Sequence, residues 1–154
     1  MANTYTQIYI QTVFAVQNRI SLLRPEWQDE LFKFITGIVQ NNGHKLIVIN
    51  GRPDHIHLLI GMKPNQSLSD LMQDVKGDSS KWINEKGFVN GRFEWQAGFG
   101  GFSYSISQVD AVVKYINNQE NHHKTKSFID EYHEFLERFS VPYEDRYIFK
   151  PVEY

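Results

Sequence analysis

Cysteine is absent from the 154 residues. That excludes disulfides, thiolate metal ligands and a cysteine nucleophile, and it fits a reducing compartment. Long apolar runs are also missing: none approaches the roughly 20 residues that cross a bilayer. The opening Met1-Ala2-Asn3-Thr4-Tyr5 lacks a basic stretch followed by an apolar one, so no secretory signal is expected. The expected location is cytoplasmic, with no membrane partner. Nor is there an excess of one charge. A net charge of −2 argues against a protein that grips long duplex nucleic acid. It leaves room for a local basic patch suited to a short single strand or a hairpin. What is present is an apolar fraction of 41%, enough for one core, so residues 1–154 are expected to form a single domain.

The order of elements follows from hydrophobic period and punctuation. Tyr5 to Val16 is rich in β-branched and aromatic residues and predicts a strand. Pro25 opens a helix in which Trp27, Leu31, Phe34, Ile35 and Ile38 recur at helical spacing, and Asn41-Asn42-Gly43 ends it. Lys45–Asn50 and His55–Met62 predict a hairpin around Gly51-Arg52-Pro53-Asp54. Ser67 or Ser69 caps a helix with Leu68, Leu71, Met72, Val75 and Trp82 on one face. Phe93 to Tyr104 alternates aromatics with Gly98, Gly100 and Gly101 and predicts a strand broken by a bulge or bend. Ser107 is expected to cap a helix over about 107–122. A last amphipathic helix with Phe128, Tyr132, Phe135, Leu136 and Phe139 lies within 125–154, followed by an irregular tail. Strand, helix, strand, strand, helix, strand, helix, helix predicts an α+β fold: a ferredoxin-like or RRM-like split β-α-β antiparallel sheet with helices on one face, plus C-terminal helices.

Chemistry enters at Asp54-His55-Ile56-His57-Leu58-Leu59-Ile60. Side chains alternate along a strand, so His55 and His57 share one face while Ile56, Leu58 and Ile60 point to the core. Two imidazoles about 7 Å apart along the backbone can lean onto one cation at roughly 2 Å from each nitrogen. Tyr115 and Gln119, four apart on a predicted helix, lie on one face. The Gln119 oxygen is a hard ligand compatible with Mg²⁺ or Mn²⁺, and a tyrosine hydroxyl beside such an ion can attack phosphorus. A helix tyrosine or a lone His-x-His is more often packing or a surface pair. The combination in this order is far more specific than any part. The histidine face is expected to be open, so His57→Ala should spare the fold. For nucleic-acid contact the candidates are Lys76, Lys81 and Arg92, with Ser79 and Ser80 as phosphate donors, and Trp82 and Trp95 as stacking platforms. His122 and His123, three and four residues beyond Gln119, lie close to the same helical face; solvation at a helix end is the favoured reading, and a place for one of them near the site is the alternative.

His55-Ile56-His57 resembles the HUH motif, and Tyr115-Ile116-Asn117-Asn118-Gln119 resembles a single-tyrosine helix motif. Together with Leu71–Asn84, Glu94–Ser103 and Gln119–Lys124, they resemble the small transposases of bacterial and archaeal insertion sequences that mobilise single-stranded DNA. The resemblance implies His55, His57 and Gln119 as ligands of Mg²⁺ or Mn²⁺. It implies Tyr115 as the nucleophile that becomes joined to a 5′ phosphate, with no need for ATP. It further implies a homodimer acting on single-stranded DNA bearing a hairpin at element ends. Three alternatives share parts of this pattern. A histidine-containing nucleotide hydrolase or phosphodiesterase would need a third motif histidine or a second His-x-Thr/Ser pair, and Leu59 stands at the position two beyond His57. A domesticated, repeat-associated tyrosine transposase would differ only in substrate. A non-catalytic nucleic-acid-binding module would want aromatics on the central strands, where this chain has histidines.

Overall fold

The computed structural model describes residues 4–19, 22–123 and 126–144. The expected tail beyond residue 144 and the side chain of His122 lie outside the described residues. The chain runs β1 (Tyr9–Ala15), α1 (Pro25–Asn41), β2 (Lys45–Arg52), β3 (His55–Gly61), α2 (Leu68–Lys86), β4 (Gly100–Tyr104), α3 (Val109–Asn117), α4 (Gln119–His122) and α5 (Phe128–Arg138). The four strands pair antiparallel in the order β2-β3-β1-β4. This is the expected split β-α-β sheet. Among the described residues no helix is long and apolar enough to cross a membrane.

Local chemistry explains the boundaries of the first helical layer. Pro25 sits in the first turn of α1, after an extended Arg24, because a residue preceding proline avoids the helical region. The Ser67 hydroxyl accepts the Asp70 N–H at 3.1 Å and so caps α2. Gly87 ends α2 in the left-handed region at φ 68°, where its N–H donates to the Ile83 carbonyl at 3.1 Å. The buried stripes of α1 and α2 pack on one face of the sheet. There Phe14, Ile56, Leu58 and Ile60 join Leu31, Ile35, Leu71, Met72 and Val75 in the main core. Each such side chain contributes roughly 1.5–3 kcal/mol by leaving water.

The other sheet face is not open. Val112 and Ile116 of α3 pack on Leu59, while Phe128, Tyr132, Phe135 and Leu136 of α5 pack on Val13, Ala15 and Phe102. The expected free face is therefore corrected: the C-terminal helices cover it, and His55 and His57 are both 0% exposed. The cause is legible in α3 and α5, whose apolar stripes need a partner, and the second sheet face supplies one. Three boundaries also differ from expectation. The first strand enters the ladder only at Tyr9. Of Phe93–Tyr104 only Gly100–Tyr104 is a strand, with Trp95 making a single bridge to Val16. The helix expected over 107–122 breaks at Asn118, and its entry is capped by Ser105, not Ser107, through reciprocal bonds with Gln108.

Gly51 positions the hairpin that carries His55. It is buried opposite Ile56, and a Cβ there would overlap the His55 carbonyl oxygen, a backbone atom that cannot rotate away. Gly51→Ala is expected to lower stability by roughly 1–3 kcal/mol, the usual cost of overpacking. A urea titration reads this directly, and an unchanged midpoint would contradict the tight hairpin.

Candidate active site

The β3 pleat turns His55 and His57 toward α5, with ring centroids 5.2 Å apart and His55 stacked on Phe128 at 4.1 Å. Each ring is fixed from behind. His55 Nδ1 lies 2.7 Å from Asp54 Oδ1, and His57 Nδ1 lies 2.8 Å from Gln11 Oε1. Both partners are acceptors, so both Nδ1 atoms donate to them and both Nε2 atoms face inward. Gln11 is held in turn, donating from Nε2 to the Tyr104 hydroxyl at 2.8 Å.

The helical side of the site hangs on β2. Asn50 Nδ2 donates to the Ile116 and Asn117 carbonyls at 2.9 and 3.3 Å, tying the end of α3 to the sheet. After the break at Asn118, Gln119 starts α4, fully buried, with Oε1 3.1 Å from His55 Nε2. Tyr115 and Gln119 thus converge although one continuous helix does not carry them.

They meet at Glu131 of α5, which is 2% exposed. Its Oε2 accepts from the Tyr115 hydroxyl, and from Gln119 Nε2 at 3.0 Å. Its Oε1 lies 3.0 Å from His57 Nε2, 3.7 Å from His55 Nε2 and 3.2 Å from His123 Nε2. Sequence reasoning missed Glu131. A signal was present: it stands three residues after Phe128 and four before Phe135, so an acid occupies the apolar stripe of its helix. Of the two histidines beyond Gln119, His123 takes the alternative to solvation: it meets both Gln119 Oε1, at 3.1 Å, and Glu131.

The donor set fits a cation. His57 Nε2 faces a carboxylate oxygen at 3.0 Å, a spacing that a proton or a bound cation between the two atoms satisfies. His55, His57 and Glu131 offer three ligand atoms within 4.8 Å of one another, a possible site for a divalent ion.

The same burial sets the protonation states. Burial lowers the His57 pKa from 6.5. Burial, and then the adjacent Glu131 carboxylate, push the Tyr115 hydroxyl far above the ordinary tyrosine range. Burial alone would raise the Glu131 carboxyl, but hydrogen bonds from neighbours, His123 foremost, outweigh it and hold Glu131 ionised. For His57 the folded pKa is the depressed one. Its contribution to stability is therefore present above about pH 6.5 and is lost as pH falls, because the unfolded chain takes up the proton more readily. In chelator, the urea midpoint should drop as pH is lowered below about 6.5, and His57→Asn should flatten that slope. An equal slope in both proteins would contradict a neutral buried His57. Because the ring is interior, His57→Ala should also cost stability, contrary to the open-face expectation.

Of the residues read as DNA contacts, Lys76, Ser80, Lys81 and Arg92 line one groove of about 850 Å³ with Phe93 and Trp95. This groove borders α2, in the helical layer on the sheet face opposite the histidines. Lys76 Nζ donates to the Gln96 and Gly98 carbonyls at 2.7 and 2.9 Å and pins the aromatic-glycine segment. Arg92 pairs with Glu94 at 3.2 Å. Ser79 is buried, and its hydroxyl accepts from Trp95 Nε1 at 2.9 Å, so it supports the groove wall. Trp82 is stacked on Phe34 at 4.7 Å. A smaller cavity of about 220 Å³ opens beside Tyr115, lined by Gln11, Tyr104, Gln108, Phe135 and Arg138 among others.

A ferredoxin-like sheet with a histidine pair beneath a tyrosine-bearing helix places the chain among DNA-cleaving transposases. It belongs to the family described as "Transposase IS200 like", whose model matches residues 4–119. It is 31% identical over 122 residues to the ISDra2 transposase TnpA of Deinococcus radiodurans, covering 75% of this chain and 86% of that one. Two solved structures share the fold. One is a protein described as a transposase from Deinococcus radiodurans, with a TM-score of 0.61 and 22% identity over 77% of this chain and 95% of that one. The other is a REP-associated tyrosine transposase bound to a REP hairpin, with a TM-score of 0.61 and 15% identity over 100% of this chain and 96% of that one.

Proposed function

We propose that the chain cleaves and rejoins single-stranded DNA through a 5′-phosphotyrosine intermediate on Tyr115, assisted by a divalent metal. The observation that carries this reading is the hydrogen bond from the Tyr115 hydroxyl to Glu131, whose other oxygen meets His57 and His123. His55, His57, Gln119 and Glu131 would hold the ion, Mg²⁺ or Mn²⁺. Bound there, it would polarise the scissile phosphate as a Lewis acid.

This chain's own residues do the rest. Burial and the carboxylate keep Tyr115 protonated at rest. As Tyr115 Oη bonds to phosphorus, its proton passes along the existing hydrogen bond to Glu131 Oε2. The bond from phosphorus to the 3′ oxygen breaks, and that oxygen leaves as a hydroxyl with a proton from solvent. The phosphotyrosine keeps the bond energy, so a 3′-hydroxyl can later attack it and reseal DNA without ATP. The cavity beside Tyr115 is the entry for the phosphate, with Arg138 at its wall as a bidentate phosphate donor. The groove along α2, where Lys76, Ser80, Lys81 and Arg92 stand beside Glu85 and Glu94, is the surface for a DNA hairpin, and Ser79 backs it. The edge strand β4 is where a second copy would extend the sheet into a homodimer. Insertion-sequence ends and chromosomal repeat hairpins are the two substrate sources, and the chemistry is common to both.

The test is incubation of end-labelled single-stranded DNA from the regions flanking the gene, with Mn²⁺, Mg²⁺ or chelator. A metal-dependent protein–DNA adduct on a denaturing gel supports the reading. Metal-dependent cutting with no adduct would make the chain a hydrolase and overturn it.

A further inference from the structure

We propose that a second groove, at the end of the sheet where β1 begins and β3 ends, holds the unpaired DNA strand that leads to Tyr115. Tyr5 is its stacking platform, and Lys45 and Lys63 are its phosphate contacts. The proposal rests on the single-strand reading above and adds where that strand lies.

Two grooves of similar size differ in charge. The groove along α2 measures about 850 Å³, and acids stand among its cations: Arg92 pairs with Glu94, Glu85 is in the wall, and Lys76 Nζ already donates to two carbonyls. The second groove measures about 790 Å³, and no acidic side chain lines it among the described residues. Its two lysines, Lys45 and Lys63, are both exposed. Tyr5 also lines it and is 89% exposed. The segment that carries Tyr5 lies outside the ladder, because β1 begins only at Tyr9. A solvated aromatic ring beside unopposed cations is the pairing that takes a stacked base and its phosphates.

The wall of this groove is held by a hydrogen-bonded chain that the metal chemistry does not use. His44, which precedes Lys45, is 4% exposed. Its Nδ1 accepts from the Lys63 N–H at 2.9 Å, so its Nε2 carries the proton and donates to Gln66 Oε1 at 2.8 Å. Gln66 Nε2 donates in turn to Asn42 Oδ1 at 3.0 Å. The Met62 N–H donates to the Ile8 carbonyl at 2.8 Å and ties in the N-terminal segment. These bonds fix the backbone at both Lys45 and Lys63, so the two ammonium groups project from a rigid frame.

The groove also leads to the nucleophile. On β1, Tyr9 lines the groove, and Gln11, two residues on and on the same face, lines the cavity beside Tyr115. At the start of α3, Val109 lines the groove and its neighbour Gln108 lines that cavity. The two spaces adjoin at both elements, so a strand held on Lys45 and Lys63 runs toward Tyr115.

The full-length protein should be titrated, in chelator and over a range of salt, with a fluorescent oligothymidylate of about 12 nucleotides, within the span that such grooves hold. Wild type is compared with Tyr5→Ala, Tyr5→Phe, Lys45→Ala with Lys63→Ala, and Lys33→Ala with Lys86→Ala. The last pair removes the same charge from exposed positions on α1 and α2. Tyr5→Ala should bind about 5- to 100-fold more weakly, the loss of one stacked base, and Tyr5→Phe should bind like wild type. The Lys45 and Lys63 pair should flatten the slope of log affinity against log salt by about 1.4, which is about 0.7 for each phosphate. The Lys33 and Lys86 pair should keep the wild-type slope. Equal slopes for the two double variants, wild-type affinity in Tyr5→Ala, or no binding by wild type would each overturn the groove. An adduct assay on the same proteins separates the two readings. If wild type forms the adduct while the groove variants bind oligothymidylate unchanged, the tyrosine chemistry stands and the groove falls. Weakened binding by the groove variants without a wild-type adduct would keep the groove and remove the chemistry.

Discussion

Tyr115→Phe should abolish the covalent protein–DNA adduct while leaving DNA binding intact. Phenylalanine keeps the ring that packs at 5.7 Å against Phe135 but removes the oxygen that would bond to phosphorus. The loss should be complete on a denaturing gel, not partial, because among the described residues no other hydroxyl meets Glu131 Oε2, whose other partner there is the Gln119 amide at 3.0 Å. The cost to stability should be small, about 1 kcal/mol, since the carboxylate keeps its other bonds. An adduct that survives this substitution would move the nucleophile elsewhere, with Tyr104 the next candidate. Tyr104 is a poorer one: its hydroxyl accepts from the Gln11 amide, whereas that of Tyr115 donates to the Glu131 carboxylate.

Glu131→Gln is expected to have the next largest effect. The change is nearly isosteric and keeps an oxygen near His57, but it removes the negative charge and the acceptor for the Tyr115 proton. Losing a positioned proton acceptor typically slows the step by about 10²- to 10⁴-fold. The rate should be measured under single turnover at saturating Mn²⁺, so that weaker metal binding does not masquerade as slower chemistry. A rate that recovers fully at saturating metal would make Glu131 a ligand only. An unchanged rate at every metal concentration would remove it from the mechanism.

The sequence made much of this legible, for physical reasons. Period-two alternation in His55–Ile60 separates histidines from core residues, and helical spacing in Trp27–Ile38 and Phe128–Leu136 marks amphipathic helices. These are local rules, and local rules also capture the Ser67 cap and the Pro25 start. The order of elements then leaves few topologies, and the sheet order follows. What escaped depends on contacts distant in sequence. Whether a sheet face is open is decided by where α3 and α5 dock, which no strand pattern encodes. Glu131 gains its role by meeting residues from three other elements, and His123, just past α4, by reaching Gln119 and Glu131. An acid on an apolar helix stripe was the one local clue. Ser79 shows the converse. Its neighbours Lys76 and Ser80 line the groove, but the helix turns Ser79 inward to Trp95.

The most direct measurement isolates the adduct formed with labelled single-stranded DNA, digests it with protease and nuclease, and identifies the modified peptide by mass spectrometry. The account predicts a single nucleotide joined through its 5′ phosphate to Tyr115, formed with metal and lost with chelator. Nucleotide on any other residue, or attachment through a 3′ phosphate, would contradict it.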